Sequence, residues 1–302
     1  GAGWGDMASG AKFDLLLMLG DNHYANSTDP AVVRAAYGDH RSAAGFRHIA
    51  ARTPTYGIWD DHDYGQNNSD GTLKDKERSL RIFREFWANP FYGEPDNPGI
   101  YSKFSRGDVD FFLLDVRYHR SPDLAPDDGT KTMLGEKQLA WLRRELLASK
   151  AKVKFLCSGS EWQTHSSDDS WSMYDRERRA LFQFIEDNKI EGVMLLSGDR
   201  HFTAAYQVLD KWIEVTSGPI GSKNNTQVRP KAEAILHHND GKFYAIFDVD
   251  TRPAEPAVTL EIYKVGSGLE VARSFTWKEV AGHKQIPRLV SPTVEPPKGS
   301  VP

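Results

Sequence analysis

One cysteine, Cys157, stands in the 302 residues, so no disulfide can form within the chain. A lone thiol mildly favours a reducing compartment, yet it is compatible with a secreted protein held together by a large core. Long apolar runs are also lacking. The longest uninterrupted one is Leu15 to Leu19, far below the roughly twenty residues of a membrane-spanning helix. The first residues, Gly1-Ala2-Gly3-Trp4-Gly5-Asp6, offer neither a basic start nor a hydrophobic stretch, so no secretion signal is visible in them, and one removed earlier is compatible with this. Basic excess is missing as well. Lys+Arg number 38 against 42 Asp+Glu, a formal charge of −4, which gives no broad cationic surface for duplex nucleic acid. Any recognition of phosphate has to be local. Finally, neither Gly-x-Ser-x-Gly nor Gly-x4-Gly-Lys-Ser/Thr occurs, which argues against serine-nucleophile and phosphate-loop chemistry.

What is present is globular composition: 39% hydrophobic and 26% charged residues, with ample length for a sizeable core. Five short apolar runs, Phe13 to Leu19, Tyr56 to Trp59, Val109 to Leu114, Val153 to Cys157 and Val193 to Leu196, read as buried strands. Between them lie helical spacings: Leu80, Phe83 and Trp87; Leu139, Leu142 and Leu146; Leu181, Phe184 and Ile185. Strands alternating with helices imply a layered α/β core with much parallel pairing. From Trp212 the pattern turns strand-like, at Trp212 to Thr216, Phe243 to Val249, Val258 to Tyr263 and Leu269 to Thr276, and predicts an antiparallel finish to the same domain. Ser121 to Thr130 reads as a surface loop, and a proline-containing tail is expected from about Pro287. No linker interrupts residues 1 to about 280, which are taken as one domain, with 281–302 as a Pro-rich tail.

The informative residues stand directly behind these runs. Gly20-Asp21-Asn22-His23-Tyr24 comes after Leu19, Asp60-Asp61-His62-Asp63 after Trp59, Asp115-Val116-Arg117 after Leu114, and Ser197-Gly198-Asp199-Arg200-His201 after Leu196. Ligands of α/β sheets bind beyond the carboxyl ends of parallel strands, so these segments are expected to converge. Asp21, Asp60, Asp61, Asp63, Asp115 and Asp199 would then crowd together with His62 and His201. Carboxylates so close repel and take up protons unless cations neutralise them. Mixed carboxylate, imidazole and phenol donors suit a hard or borderline metal pair, with Asp21 the natural bridge after a flexible glycine. Gly-Asp after a strand is ordinarily a mere turn. Three carboxylates in four residues behind a buried strand are harder to explain by structure alone.

Other residues read more plainly. His23, His119, His165 and the pair His237-His238 are expected in polar loops, solvated. Cys157, within an apolar strand, is expected to be an inert core thiol. Arg117 and Arg120 either pair with nearby aspartates or hold a substrate phosphate. Glu161, at the end of the Val153 strand, is a further candidate for entry into the site.

Gly20 to Tyr24, Trp59-Asp60-Asp61-His62-Asp63-Tyr64-Gly65-Gln66-Asn67, Leu114 to Ser121 and Leu196 to Phe202, with Leu134-Gly135-Glu136-Lys137-Gln138 and Trp141-Leu142, resemble the alkaline phosphatase D (PhoD-like) family of calcineurin-like metallophosphoesterases. The likeness runs from about Trp4 to about Thr276. Asp60 to Asp63 and Gly198 to His201 take the places of the superfamily's Gly-Asn-His-Asp/Glu and Gly-His-x-His elements. The resemblance implies a four-layer α/β/β/α sandwich around a dinuclear centre, of Fe3+ and Ca2+ or of other divalent ions such as Zn2+, Mn2+ or Co2+. Asp21 would bridge the metals, Tyr24 and His201 would bind the iron-type ion, and Asp61 and Asp199 the second one. His62, with Asp61 and Asp199, would be catalytic, while Arg117, Arg200 and Asn67 would face the substrate.

The family usually opens its domain with a strand ending in Ser-Cys, whose cysteine is a ligand. These residues start after that point, and Cys157 does not stand at its place. The expected function is hydrolysis of small phosphate esters by metal-activated water, in the periplasm or outside the cell. The alternatives are a non-catalytic metal-binding relative or inactive truncated form, and a phospholipase D-like or nuclease-like phosphodiesterase.

Overall fold

Alternation of side chains along the strands sets the layers. The computed structural model describes residues 2–163, 168–226 and 234–287. The chain opens with α1 (Ala2–Gly10), β1 (Leu16–Leu19), α2 (Pro30–Ser42), α3 (Ala44–Ala50), β2 (Thr55–Ile58), the short α4 (Asp61–Tyr64) and α5 (Lys76–Phe86). A small hairpin, β3 (Gly93–Glu94) and β4 (Asn97–Pro98), leads into β5 (Ser102–Arg106), β6 (Val109–Leu113), α6 (Glu136–Ala148), β7 (Val153–Cys157), α7 (Asp175–Asp187) and β8 (Val193–Ser197). Then come β9 (Thr203–Val208), β10 (Trp212–Thr216), β11 (Ala234–His238), β12 (Phe243–Asp250), β13 (Ala257–Lys264), β14 (Gly268–Phe275) and α8 (Trp277–Val280).

The main sheet has seven strands in the order β11-β9-β10-β8-β7-β6-β5. Its centre, β6, β7, β8 and β10, is parallel, and β5 and β9 run antiparallel to their neighbours. On one face Phe111, Leu113, Phe155, Cys157, Met194 and Leu196 meet Val258, Leu260 and Ile262 of β13. On the other, Phe112, Leu156 and Leu195 pack with Trp141 and Leu142 of α6 and Leu181 and Ile185 of α7. The period of two thus splits each central strand between two cores. Beyond the second sheet, Leu16 and Tyr244 pack against Trp4 and Met7 of α1 and Phe46 and Ile49 of α3. The order is helices, seven-stranded sheet, smaller sheets, helices: the α/β/β/α sandwich expected.

Three expectations need correction. Trp212 to Thr216 is antiparallel on one side only: β10 pairs antiparallel with β9 but parallel with β8 within the main sheet, while β12, β13 and β14 form a separate antiparallel sheet. His237 and His238 lie on β11, partly buried, and burial lowers both their pKa values. His23 is buried edge-on against Tyr37 at 4.2 Å, and burial depresses its pKa to about 4, so it is neutral and not solvated. His119 keeps some exposure, with Nε2 2.7 Å from the Pro98 carbonyl. His165 and the tail beyond residue 287 lie outside the described residues. Cys157 is fully buried and burial raises its pKa, as suits a core thiol.

The second sheet is discontinuous. Among the described residues β1 pairs only with β2, and β12 only with β13. Between them lies a cavity of about 720 Å³ lined by Leu16 to Leu19, Phe111, Phe155 and Tyr244 to Val249. None of the described residues supplies a strand between β1 and β12.

Leu142, fully buried between α6 and the main sheet, reports on the outer core. Leu142→Ala is expected to destabilise the protein by about 2–5 kcal/mol, read as a lowered urea midpoint with an unchanged slope.

Candidate metal centre

Four strand ends meet at one rim. β1 is followed by Gly20, whose φ of +101° suits only glycine comfortably; a Cβ there would also stand 2.6 Å from the Asp60 Cβ. Asp21 comes next in a left-handed conformation, φ +50°. Its N–H donates to Asp63 Oδ2 at 3.0 Å, and its own Oδ2 accepts from the Tyr24 hydroxyl at 3.1 Å. Behind β2, Asp60 opens the short α4, its N–H held by Asp63 Oδ2 at 2.8 Å. From the β8 end, Asp199 and His201 also adopt left-handed φ, +67° and +57°. That turn brings His201 Nε2 to 2.7 Å from the Tyr24 hydroxyl and 3.8 Å from Asp21 Oδ2. Two more glycines permit the convergence: a Cβ on Gly159 would stand 2.5 Å from Asp60 Cγ, and one on Gly198 2.6 Å from the Leu19 carbonyl oxygen.

The carboxylates sort into groups. Asp115 accepts from Trp59 Nε1 and from the backbone N–H groups of Ile100, Arg117 and Tyr118, at 2.9–3.0 Å. Asp63 accepts from Asp21 and Asp60 N–H and from Asn22 Nδ2. These two brace the framework, so the expected crowd of acids is smaller than its sequence count. Asp21, Asp61 and His62 form one cluster whose ligand atoms lie within 4.8 Å of one another; Asp60, Asp169 and Asp199 form another. Asp169 was missed in the sequence because it stands behind no strand and sits in a polar loop.

The clusters differ in counter-charge. Arg117 donates through Nε to Asp60 Oδ1 at 2.6 Å and through both terminal nitrogens to Asp169 at 2.8 Å. Arg120 reaches Asp169 at 2.8 Å and Arg200 reaches Asp199 at 3.5 Å. Asp21 and Asp61, among the described residues, have no Lys or Arg at ion-pairing distance. Asp61 Oδ1 and Oδ2 accept backbone N–H groups of His62 and Asn68 at 2.8 and 2.6 Å.

Of the two roles open to Arg117, the geometry fills the first. It is fully buried, and Asp60, Asp169, the Ser69 carbonyl and Ser160 Oγ engage all five of its donors, which leaves none for a substrate phosphate. Arg200 is partly exposed, donates through Nε to Glu161 Oε2 at 2.8 Å and also reaches the Asp168 carbonyl. Glu161 therefore arrives at the rim through Arg200. Asn67 is exposed and donates to Asn68 Oδ1. His62 Nδ1 lies 2.5 Å from Asn26 Oδ1, with its ring 4.5 Å from that of Tyr24; Asn26 had no signal in the sequence beyond its nearness to Tyr24.

Burial drives the titration. It raises Asp61, Asp63 and Asp199 above the usual carboxylate range, with neighbouring aspartates adding to the rise, and it pushes Asp60 up to about 8 against the pull of Arg117. Asp21 Oδ1 and Asp60 Oδ2 are buried without a hydrogen-bond partner. Orphaned carboxylate oxygens beside an imidazole and a phenol are the donor set a hard or borderline cation takes, so the residues fit a metal.

Residues 28–252 match the model of the PhoD-like phosphatase family. The chain belongs to that family. It is similar to alkaline phosphatase D of Bacillus subtilis (strain 168), with 28% identity over 291 aligned positions that cover 76% of this chain and 50% of the relative. It therefore spans about half the length of that curated relative. Its fold is similar to the structure of PhoD, with a TM-score of 0.69, 20% identity and coverage of 89% of this chain and 68% of that one. It is also similar to purple acid phosphatase PPD1 from yellow lupin (Lupinus luteus) seeds, with a TM-score of 0.62, 11% identity and coverage of 92% and 50%. No helix among the described residues is long and apolar enough to cross a membrane.

The raised aspartates give the sign of a pH effect. Unfolded, they titrate near 4. Folded, they titrate higher, while the buried histidines His23, His40, His237 and His238 titrate lower and oppose them below about pH 6.5; between about pH 6.5 and pH 8 the folded state therefore binds more protons and the metal-free protein loses stability as pH rises. Thermal unfolding in chelator is expected to show Tm falling across that window, and saturating Mn2+ to flatten the fall.

Proposed function

We propose that this chain is a metal-dependent phosphoric ester hydrolase with a dinuclear centre. The observation that carries the reading is the convergence, in a PhoD-like chain, of Asp21, Tyr24, Asp61, Asp199 and His201 at one rim, with Asp21 Oδ1 and Asp60 Oδ2 buried and unpartnered. Asp21 neighbours Tyr24 and His201 as well as Asp61, which supports its reading as the bridging carboxylate. By the family resemblance, Tyr24 and His201 would hold Fe3+, and Asp61 and Asp199 would hold Ca2+, with Zn2+, Mn2+ or Co2+ as other occupants. The bound cations would supply Lewis-acid polarisation of the phosphoryl group and a source of hydroxide near neutral pH.

His62 is the proton-handling residue of this proposal. Asn26 Oδ1 is an acceptor, so in the neutral ring Nδ1 carries the proton and Nε2 is left for the substrate side. Protonated at Nε2, it would stabilise charge on the departing oxygen. Arg200, partly exposed, and Asn67, exposed, would bind the remaining phosphate oxygens. Arg117 would act one step back, by fixing Asp60 and Asp169. Location outside the cytoplasm belongs to the same proposal, on the family resemblance alone.

A second reading, a non-catalytic metal binder, draws on one observation. Cys157 is fully buried inside β7, so among the described residues no thiolate joins Asp21, Tyr24 and His201.

Purified protein is expected to carry two metals per chain and to hydrolyse an aryl phosphodiester and an aryl monoester; a phospholipid and single-stranded DNA complete the panel and rank the diesterase alternatives. His62→Ala should lower kcat by about 10²–10⁴-fold with metal content unchanged, and full turnover in that variant would overturn the role of His62. Asp61→Asn should lose both metal and activity. Metal bound without turnover on any of the four esters would favour the second reading.

A further inference from the structure

Asp169 has a conformation and a set of partners that its place in a loop does not require. Its φ is +45°, a left-handed value uncommon outside glycine, and it is buried. The strain is held from both sides. Its N–H donates to Asp123 Oδ2 at 3.2 Å, and two residues on, Trp171 is anchored by its N–H to the Glu161 carbonyl at 3.0 Å and by its indole N–H to Ser158 Oγ at 3.1 Å. The Trp171 ring stacks on Trp162 at 4.4 Å.

In that pose Asp169 Oδ1 and Oδ2 each take one terminal nitrogen of Arg117 at 2.8 Å, a planar two-point grip that fixes the guanidinium. The third edge of the same guanidinium, Nε, donates to Asp60 Oδ1. Asp60 is fully buried and belongs to the cluster with Asp169 and Asp199, and its second oxygen, Oδ2, has no hydrogen-bond partner. A carboxylate can aim one oxygen only if the other is pinned, and here the pin is an arginine that is itself pinned. Arg120, at 2.8 Å from Asp169, closes the far end.

We propose that Asp169 is a positioning residue of the metal centre: through Arg117 it sets the orientation of Asp60, so that Asp60 Oδ2 is presented beside Asp199 to a cation. The inference rests on the metal-dependent reading above. Arg117 must be held at three points at once, and lysine, with a single ammonium head, cannot link Asp60 and Asp169 in the same plane. Arg120 supports the relay from outside it, so its loss should matter less.

The test is Mn2+ binding to the full chain, by equilibrium dialysis with electron paramagnetic resonance of the free ion, alongside circular dichroism and Tm. Loss of an outer-shell partner typically weakens metal affinity 10–100-fold. Asp169→Asn and Arg117→Lys are each expected to weaken Mn2+ binding by that factor while the far-ultraviolet spectrum is unchanged, and Arg120→Lys to weaken it less than either. Asp169→Glu, which keeps the charge, should recover part of the affinity lost in Asp169→Asn. Mn2+ affinity within threefold of the parent in both Asp169→Asn and Arg117→Lys would overturn the proposal and leave the hydrolase reading standing. Failure of both variants to fold in saturating Mn2+ would also overturn it, since the network would then be framework alone. A parent chain that binds no Mn2+ would overturn the metal reading itself, and this inference with it.

Discussion

Repulsion among buried carboxylates is the constraint on which the rest of this structure depends. At the rim, Asp21, Asp60, Asp115 and Asp199 stand behind strands, Asp61 and Asp63 lie in the short α4, and Asp169 comes from a loop. In a medium of low effective dielectric such a collection is unfavourable unless each member has its own resolution. The chain supplies three kinds. Asp63 and Asp115 are resolved by N–H donors and become structural. Asp60, Asp169 and Asp199 are resolved by Arg117, Arg120 and Arg200. Asp21 and Asp61 are left with N–H and hydroxyl donors but no full positive charge at ion-pairing distance among the described residues, and that remnant of unbalanced charge makes a cation the natural complement. The overall count of −4 says nothing of this; only the sorting does.

The scaffold makes the sorting possible by allowing backbones to approach. Gly20, Gly159 and Gly198 stand where any Cβ would meet Asp60 or the carbonyl of Leu19 at 2.5–2.6 Å. The left-handed turns at Asp21, Asp169, Asp199 and His201 then swing polar side chains inward immediately after strands or beside them. Each such turn carries a local cost, and the double core on either side of the seven-stranded sheet is what sustains it. Strain is therefore concentrated at the rim, while the strands behind it alternate regularly.

How much of this was legible in the sequence depends on the range of each signal. The layered fold was, because the period of two in Phe111-Phe112-Leu113 and Phe155-Leu156-Cys157, and the helical spacing of Trp141, Leu142 and Leu146, are local patterns that burial reads directly. The four strand-end motifs were legible for the same reason. The direction of β10 was not, since Trp212 to Thr216 pairs with β8 through a contact that no local pattern encodes. Nor were Asn26, Asp169 and the five-fold engagement of Arg117, which arise where loops distant in sequence meet. His23 misled because its neighbours Asn22 and Tyr24 are polar, while the surface that buries it, Tyr37, lies on α2.

The two halves of the centre are unequally supported. Asp199 and His201 stand behind β8, which is paired on both sides within the main sheet by β7 and β10. Asp21 stands behind β1, a strand of four residues that among the described residues pairs with β2 alone and lines a cavity. A side chain at the end of such a strand cannot take its precision from the ladder. It takes it from Asp63, which holds the Asp21 N–H and the Asp60 N–H with the same carboxylate oxygen, and so fixes the end of β1 to the end of β2. The first-sheet and second-sheet donors meet where Gly198 touches Leu19, and across that seam Tyr24 and His201 form a direct polar link between the β1 and β8 loops with a ligand-type atom on each side. A cation shared by Asp21 and His201 would join the two sheets at this seam. Binding there would then be linked to the stability of β1, because the geometry that would ligate is the geometry that holds the end of β1 against the end of β8.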